Sequence, residues 1–100
     1  MTVHTVKSWS HFFKAIKRGD KKHDLRVNDR DYKLGDVLVL QEYDPAAGVY
    51  TGHTCCVRVS YITSNQFPCA FSSAVMMKNY CILSLELLGD AGPDLESTSP

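Results

Sequence analysis

The sequence predicts an α+β fold, in which one helix near the N-terminus packs on a small, mostly antiparallel β-barrel or curled sheet. The chain has 100 residues, the size of one domain. Residues 11–18 have the pattern of a helix, whereas the other apolar segments are short and have the patterns of strands. A parallel doubly wound sheet needs a helix between successive strands, so this pattern excludes that class. We expect residues 1–88 to form the domain and residues 89–100 to be a disordered acidic tail.

Five segments are predicted to be strands because their side chains alternate in polarity or form short apolar runs. In the first strand, His4 and Val6 lie on the same face. The apolar residues 37–40 are typical of a strand that is buried on both faces, and residues 45–48 are typical of a turn. Residues 64–77 have no clear period and are expected to be an irregular crossing segment. The predicted strands cover residues 2–7, 22–28, 37–40, 51–62 and 80–88.

The predicted helix over residues 11–18 has signals at both ends. Ser8 or Ser10 is placed to cap its N-terminus, and Gly19 follows it as a left-handed stop residue. We expect Trp9 to pack in the core together with the apolar stripe of the helix. That stripe is formed by Phe12, Phe13, Ala15 and Ile16.

Charge is distributed unevenly along the chain. The formal net charge is zero, so the overall charge does not indicate a nucleic-acid or membrane partner. Between Lys14 and Lys33, however, eight Lys and Arg side chains accompany four Asp side chains, so this segment carries +4 and the remainder −4. A basic segment of this kind suits an anionic ligand or partner.

The cysteines and the hydropathy pattern indicate a cytoplasmic protein without a membrane segment. No apolar run reaches the roughly 18 residues of a membrane span, and the N-terminus lacks the apolar stretch of a signal peptide. The cysteines do not have the paired spacing of a zinc site, so we expect reduced and mostly buried thiols and no bound metal. The four are Cys55, Cys56, Cys69 and Cys81.

Several short motifs occur in a fixed order in the first half of the chain. They are His-Thr-Val-Lys at 4–7, Gly-Asp-Lys-Lys-His-Asp-Leu-Arg at 19–26, Asn-Asp-Arg-Asp-Tyr at 28–32, Gly-Asp at 35–36, Glu-Tyr-Asp-Pro at 42–45 and Tyr-Thr-Gly at 50–52. Together they resemble a domain-of-unknown-function family of phages and bacteria in the ASCH/PUA-like superfamily. Gly19, Lys21, Asp24 and Arg26 match the wider signature of that superfamily. Two positions depart from the pattern, because Asp24 stands where Glu or Thr is usual and His53 where Arg is common.

The resemblance implies a PUA-like barrel with a cleft between the helix and the strands. Related domains bind RNA or modified nucleotides, so it implies RNA or nucleotide binding by a basic cleft, and we expect no cofactor. Arg26 and Arg30 carry the planar fork that suits phosphate, and Tyr50 is expected to stack at the mouth of the cleft. The expected ligand-binding residues are His4, Lys7, Lys21, Asp24, Arg26, Arg30 and Tyr50.

Alternatives remain open for the arginines and for the function. Arg26 is as well suited to a structural ion pair with Asp24 or Asp29, and Arg30 to one with its acidic neighbours. An enzymatic relative implies a small amidohydrolase acting on an acylated nucleoside, with Lys21 as the reactive amine and Asp24 as its partner. That relative needs a distal carboxylate, and residues 64–77 contain no Asp or Glu, which favours binding. The third interpretation is a protein-binding accessory factor of a phage or mobile element, whose basic segment docks on an acidic surface.

Overall fold

Five strands and one helix form the part of the chain that the computed structural model describes, residues 1–64 and 79–90. The elements are β1 (Val3–Trp9), α1 (Ser10–Lys17), β2 (His23–Val27), β3 (Val37–Asp44), β4 (Val49–Ser64) and β5 (Tyr80–Asp90). Each was predicted within a few residues, so the α+β class is confirmed. β5 extends two residues into the predicted tail. The rest of that tail and nearly all of the predicted crossing segment lie outside the described residues.

The strands form one sheet with the order β1-β3-β4-β5-β2. β1 runs parallel to β3, and the other three pairs are antiparallel, which confirms the mostly antiparallel prediction. The register shifts between Gln41 and Tyr43 on β3 and at two places on β4. Such bulges bend and twist the strands that contain them. They help to curl this sheet, so that its two edge strands approach each other.

The two edge strands, β1 and β2, are joined by a side chain. Arg26 Nη2 on β2 donates a hydrogen bond to the Lys7 carbonyl oxygen on β1, at 3.1 Å. The sheet order contains no backbone pairing between these two strands. Among the described strands, the sheet is therefore a half-barrel that is open between β1 and β2.

Helix α1 covers the concave face of the sheet with two side chains, Phe13 and Ile16, each 2% exposed. The prediction that Trp9 and Phe12 also lie in the core is wrong, since they are 52% and 45% exposed. Trp9 follows the alternation of β1, whose inward residues have even numbers, and so it points away from the core. The core cluster consists of Val6, Phe13, Ile16, Tyr32, Leu38, Leu40, Cys55, Val57, Val59, Cys81, Leu83 and Leu85.

The predicted end of α1 is confirmed, whereas the predicted serine cap at its start is wrong. Neither serine caps the N-terminus. The N-cap position is held by Trp9 without a side-chain bond, and Ser10 Oγ instead donates to the Tyr43 carbonyl oxygen at 3.3 Å. At the other end, Gly19 has φ +86° and its amide donates to the Ile16 carbonyl oxygen, which confirms the predicted stop. The chain therefore turns sharply after the helix and enters β2.

Three of the four cysteines lie in the described residues, and all three are buried. Cys55 belongs to the core cluster, whereas Cys56, which points to the opposite face of β4, does not. Burial raises the pKa of the Cys81 thiol. Cys69 lies outside the described residues. Within residues 1–64 and 79–90, no helix combines the length and apolarity that crossing a membrane requires.

Candidate functional site

A cleft of about 530 Å³ opens at the gap between the edge strands. One wall is formed by the end of β1 and the first turn of α1, and the other by β2 and the loop that follows it. We call this feature the edge cleft. The residues that line it include Lys7, Trp9, Phe12, Asp24, Arg26 and Arg30. Basic and exposed aromatic side chains thus share one concave surface.

Arg26 links the two walls of the edge cleft, since it projects from β2 and bonds to the Lys7 carbonyl oxygen on β1. Its Nη1 donates to Asp24 Oδ2 at 2.7 Å, and both side chains are mostly covered, at 20% and 15% exposed. Burial alone would lower the pKa of Arg26, but the hydrogen bond to Asp24 and its charge outweigh this effect and raise it. Arg26 therefore forms the structural ion pair with Asp24 that the sequence offered as an alternative, and it also lines the cleft. Because residues i and i+2 of a strand share a face, β2 presents Asp24 and Arg26 side by side.

The two exposed aromatic side chains, Trp9 and Phe12, lie on the helix side of the edge cleft. Trp9 ends β1 and Phe12 lies in the first turn of α1, so regular backbone positions both rings. Large apolar side chains in contact with water are costly unless something covers them. Their place beside cations is typical of a surface that receives a planar ligand.

Two further basic residues, Lys7 and Arg30, line the edge cleft, and among the described residues neither forms a close ion pair with an acid. Lys7 Nζ lies 4.2 Å from the centre of the Tyr43 ring and 5.9 Å from that of Tyr50, so aromatic faces hold it. Arg30 Nε lies 4.0 Å from Asp29 Oδ1, and the two side chains are 46% and 65% exposed. Such a pair contributes little to stability and leaves Arg30 available to an anion.

Tyr32 also lines the edge cleft, and it is only 4% exposed. The preceding residue, Asp31, has φ +51°, a left-handed conformation that Asp tolerates better than most residues and that turns the chain inward here. The Tyr32 hydroxyl interacts electrostatically with Arg26, but it makes no hydrogen bond with any group that the structure describes. Burial raises the pKa of Tyr32 despite the opposing effect of Arg26.

Three of the predicted site residues lie outside the edge cleft. Lys21 lines a different cavity, where its Nζ donates to the His23 carbonyl oxygen at 2.7 Å, and Nζ also lies 5.7 Å from the centre of the Phe12 ring. Tyr50 packs edge-on against Tyr43, with ring centres 5.2 Å apart, and its ring centre lies 5.9 Å from Lys7 Nζ. His4 Nε2 lies 2.8 Å from an oxygen of Asp36 and serves a separate polar cluster.

That polar cluster is centred on the Asp36 carboxylate, which is 2% exposed. Its oxygens accept hydrogen bonds from the backbone amides of Thr2 and Lys33, each at 3.0 Å, in addition to the contact with His4. Burial alone would raise the pKa of Asp36, but the hydrogen bonds outweigh burial and lower it. The cluster ties the start of β1 to the turn before β3, so His4 has a structural partner here.

Replacing Asp36 by Asn is expected to destabilise the protein by about 1–3 kcal/mol at neutral pH, because buried amides lose a charged acceptor. The pKa of Asp36 is lower in the folded than in the unfolded state, so ionised Asp36 favours folding above the unfolded value. This contribution is lost as the pH falls through the folded pKa. Thermal unfolding of wild type and Asp36→Asn between neutral pH and about pH 3 should therefore show the two Tm values converging in acid.

The exposed Asp20, whose side chain is 69% exposed, provides the matched control for this substitution. Asp20→Asn should leave both the Tm and its dependence on pH unchanged. A constant Tm difference between wild type and Asp36→Asn across the acid range would contradict the assignment of Asp36.

Comparison with known proteins places the chain in a family. A family model described as Domain of unknown function (DUF3850) matches residues 3–85. The chain belongs to this family. It is also similar to the "Uncharacterized 12.9 kDa protein in GpA 3'region" of Escherichia phage P2, with 34% identity over 61 residues. The aligned region covers 61% of this chain and 54% of that protein, so the chain spans about half the length of this relative.

The matched DUF3850 region contains both walls of the edge cleft. Four of the predicted ligand-binding residues line this cleft together, namely Lys7, Asp24, Arg26 and Arg30. That they bind a ligand stays a prediction. The cleft lining also includes Trp9 and Phe12, which the sequence placed in the core although Trp9 also suited stacking on a base, and Tyr32, which was not predicted as a site residue. The alternation of side chains along β1 could have predicted the exposure of Trp9. It places Trp9 on the same side of the strand as the exposed Lys7, opposite to the buried even-numbered residues.

Proposed function

We propose that this DUF3850 domain is a PUA-like domain that binds single-stranded RNA or a nucleotide in the edge cleft. The observation that carries the proposal is the exposure of Trp9 and Phe12 beside Lys7, Arg26 and Arg30 on one concave surface. Proteins that bind single strands combine a basic groove with aromatic side chains on which bases stack. The edge cleft offers both parts, with Lys7, Trp9, Phe12 and Arg26 on regular backbone and Arg30 on the loop after β2.

The bonds that each cleft side chain already makes within the protein determine its role in RNA binding. Arg26 is committed to Asp24 and to the Lys7 carbonyl oxygen, so it shapes the cleft and keeps the edge strands together. Lys7 and Arg30 have weaker attachments and are the phosphate-binding groups. Trp9 and Phe12 provide faces for bases, which gives affinity without strict sequence preference.

The contacts of Lys21 and Asp24 favour binding over the hydrolytic alternative. Hydrolysis of an acylated nucleoside would use Lys21 as an amine activated by Asp24. The Lys21 amine is bonded to the His23 carbonyl oxygen, and the Asp24 carboxylate is bonded to Arg26. The two groups therefore have separate hydrogen-bond partners, and the proposal assigns no catalytic step to them.

Replacing Trp9 by Ala is expected to weaken RNA binding by about 5- to 100-fold, the effect of losing one stacked base. The measurement is fluorescence anisotropy of a short, labelled RNA of mixed sequence titrated with protein at low salt. Tyr61→Ala is the matched control, because Tyr61 is also aromatic and is 61% exposed but lies outside the edge cleft. It should bind like the wild type.

Salt dependence tests the phosphate contacts in the same assay. With Lys7 and Arg30 as the two phosphate-binding groups, the logarithm of the binding constant should fall with the logarithm of salt concentration with a slope between about −1 and −2. Failure of the wild-type protein to bind RNA at low salt, or equal losses in Trp9→Ala and Tyr61→Ala, would refute the proposed function.

A further inference from the structure

The Asp24–Arg26 pair presents a charged acceptor beside charged donors on one wall of the edge cleft. A carboxylate has about four lone-pair sites, and the hydrogen bond from Arg26 Nη1, at 2.7 Å, occupies one of them. A guanidinium has five N–H donors, and Arg26 gives one to Asp24 and one to the Lys7 carbonyl oxygen. Both side chains retain some exposure, at 15% and 20%, so the pair has hydrogen-bonding capacity left for a ligand.

Guanine is the common base whose edge matches this arrangement. Its ring N1–H and 2-amino group are adjacent donors, and its O6 acceptor follows directly. A carboxylate only accepts hydrogen bonds. On adenine and cytosine, the carboxylate would meet the lone pair of a ring nitrogen beside the amino group. On uracil, the ring N–H lies between two carbonyl oxygens, whose lone pairs would also face the carboxylate. Facing lone pairs repel a carboxylate, so these three bases fit less well.

The position of the pair suits recognition of a stacked base. Asp24 and Arg26 project from β2, while Trp9 and Phe12 line the opposite, helix-side wall of the same cleft. The bond from Arg26 to the Lys7 carbonyl oxygen fixes the guanidinium, which in turn orients the Asp24 carboxylate. Groups held in place before binding lose little conformational entropy when a ligand arrives.

We propose that the Asp24–Arg26 pair makes the edge cleft selective for guanine. Asp24 accepts hydrogen bonds from N1–H and the 2-amino group, and Arg26 donates to O6. The base stacks against Trp9 or Phe12. This inference rests on the proposed RNA-binding function and adds a base preference to it.

The experiment compares uridine-rich RNAs that carry guanosine, inosine or uridine at one central position. Inosine lacks only the 2-amino group, so the comparison isolates a single hydrogen bond. Wild-type protein should bind the guanosine RNA about tenfold or more tightly than the inosine RNA, since the lost bond is to a charged group. Asp24→Asn keeps an oxygen for Arg26 but offers an amide to the base, so its two affinities should be nearly equal.

Asp29→Asn is the matched control, because it removes the same charge from the same cleft without touching the Asp24–Arg26 pair. It should retain the preference for guanosine over inosine. Equal binding of all three RNAs by the wild type would overturn the inference and leave the proposed RNA-binding function in place. Absence of binding to any RNA would overturn both. Because the wild-type comparison needs no mutation, the test holds even if Asp24→Asn folds poorly.

Discussion

Replacing Phe13 by Ala is expected to lower the free energy of unfolding by about 3–5 kcal/mol. Phe13 is 2% exposed, and with Ile16 it supplies the buried contacts of the eight-residue helix. A helix of two turns has little stability of its own, so its attachment depends on this side chain. Most small domains have only about 5–15 kcal/mol of stability, so the loss should be large in denaturant titrations followed by circular dichroism.

Phe12→Ala provides the matched control, because it removes the same side chain one residue earlier. Phe12 is 45% exposed at the edge cleft, and its removal should cost no more than about 1 kcal/mol. RNA binding should show the reverse order, with Phe12→Ala weakened although it remains folded. Equal destabilisation by the two substitutions would contradict the orientation of α1.

Replacing Arg26 by Ala is expected to cost about 2–3 kcal/mol of stability and to abolish RNA binding. Its removal leaves the Asp24 carboxylate, 15% exposed, without its cation and the Lys7 carbonyl oxygen without its donor. Breaking a fully buried ion pair costs about 3–5 kcal/mol, and partial exposure of this pair reduces the figure. Chemical denaturation and the anisotropy assay measure the two effects on the same variant.

Arg58→Ala controls for the loss of an arginine from the sheet. Arg58 on β4 pairs with Glu86 at 3.7 Å, and both side chains are well exposed, at 43% and 60%. Exposed pairs are worth about 1 kcal/mol at most, so this variant should keep most of its stability. It should also bind RNA as the wild type does. If the Arg26→Ala variant is stable and still binds RNA, the result would contradict the role of Arg26 in linking the two walls of the edge cleft.

The fold was predictable because its signals are local. Alternation and short apolar runs marked all five described strands, and Gly19 marked the end of the helix. The error at Trp9 and Phe12 has the same origin. A helix of eight residues buries only a narrow stripe, and the pattern cannot show that the concave sheet accepts just Phe13 and Ile16. The extent of β3 to Asp44 was also missed, because pairing with β4 stabilises polar residues there.

The candidate site was only partly predictable because it depends on tertiary contacts between separate strands. The motif around Arg26 identified one wall, but the partner on β1 is the carbonyl oxygen of Lys7, which no side-chain pattern reveals. Lys21 and Asp24 are three residues apart in sequence, yet the chain turns after Gly19 and gives them different partners. His4 has the right residue type for a ligand contact, but the buried Asp36 binds it.

The most direct test of the edge cleft is the fluorescence of Trp9, the single tryptophan of the chain. A base that stacks on its indole changes this emission, so the signal reports contact at the cleft itself. Titration with unlabelled single-stranded RNA at low salt should quench Trp9 saturably, and added salt should reverse the quenching. Binding seen by anisotropy while Trp9 emission stays constant would contradict the account, because RNA would then bind elsewhere on the protein.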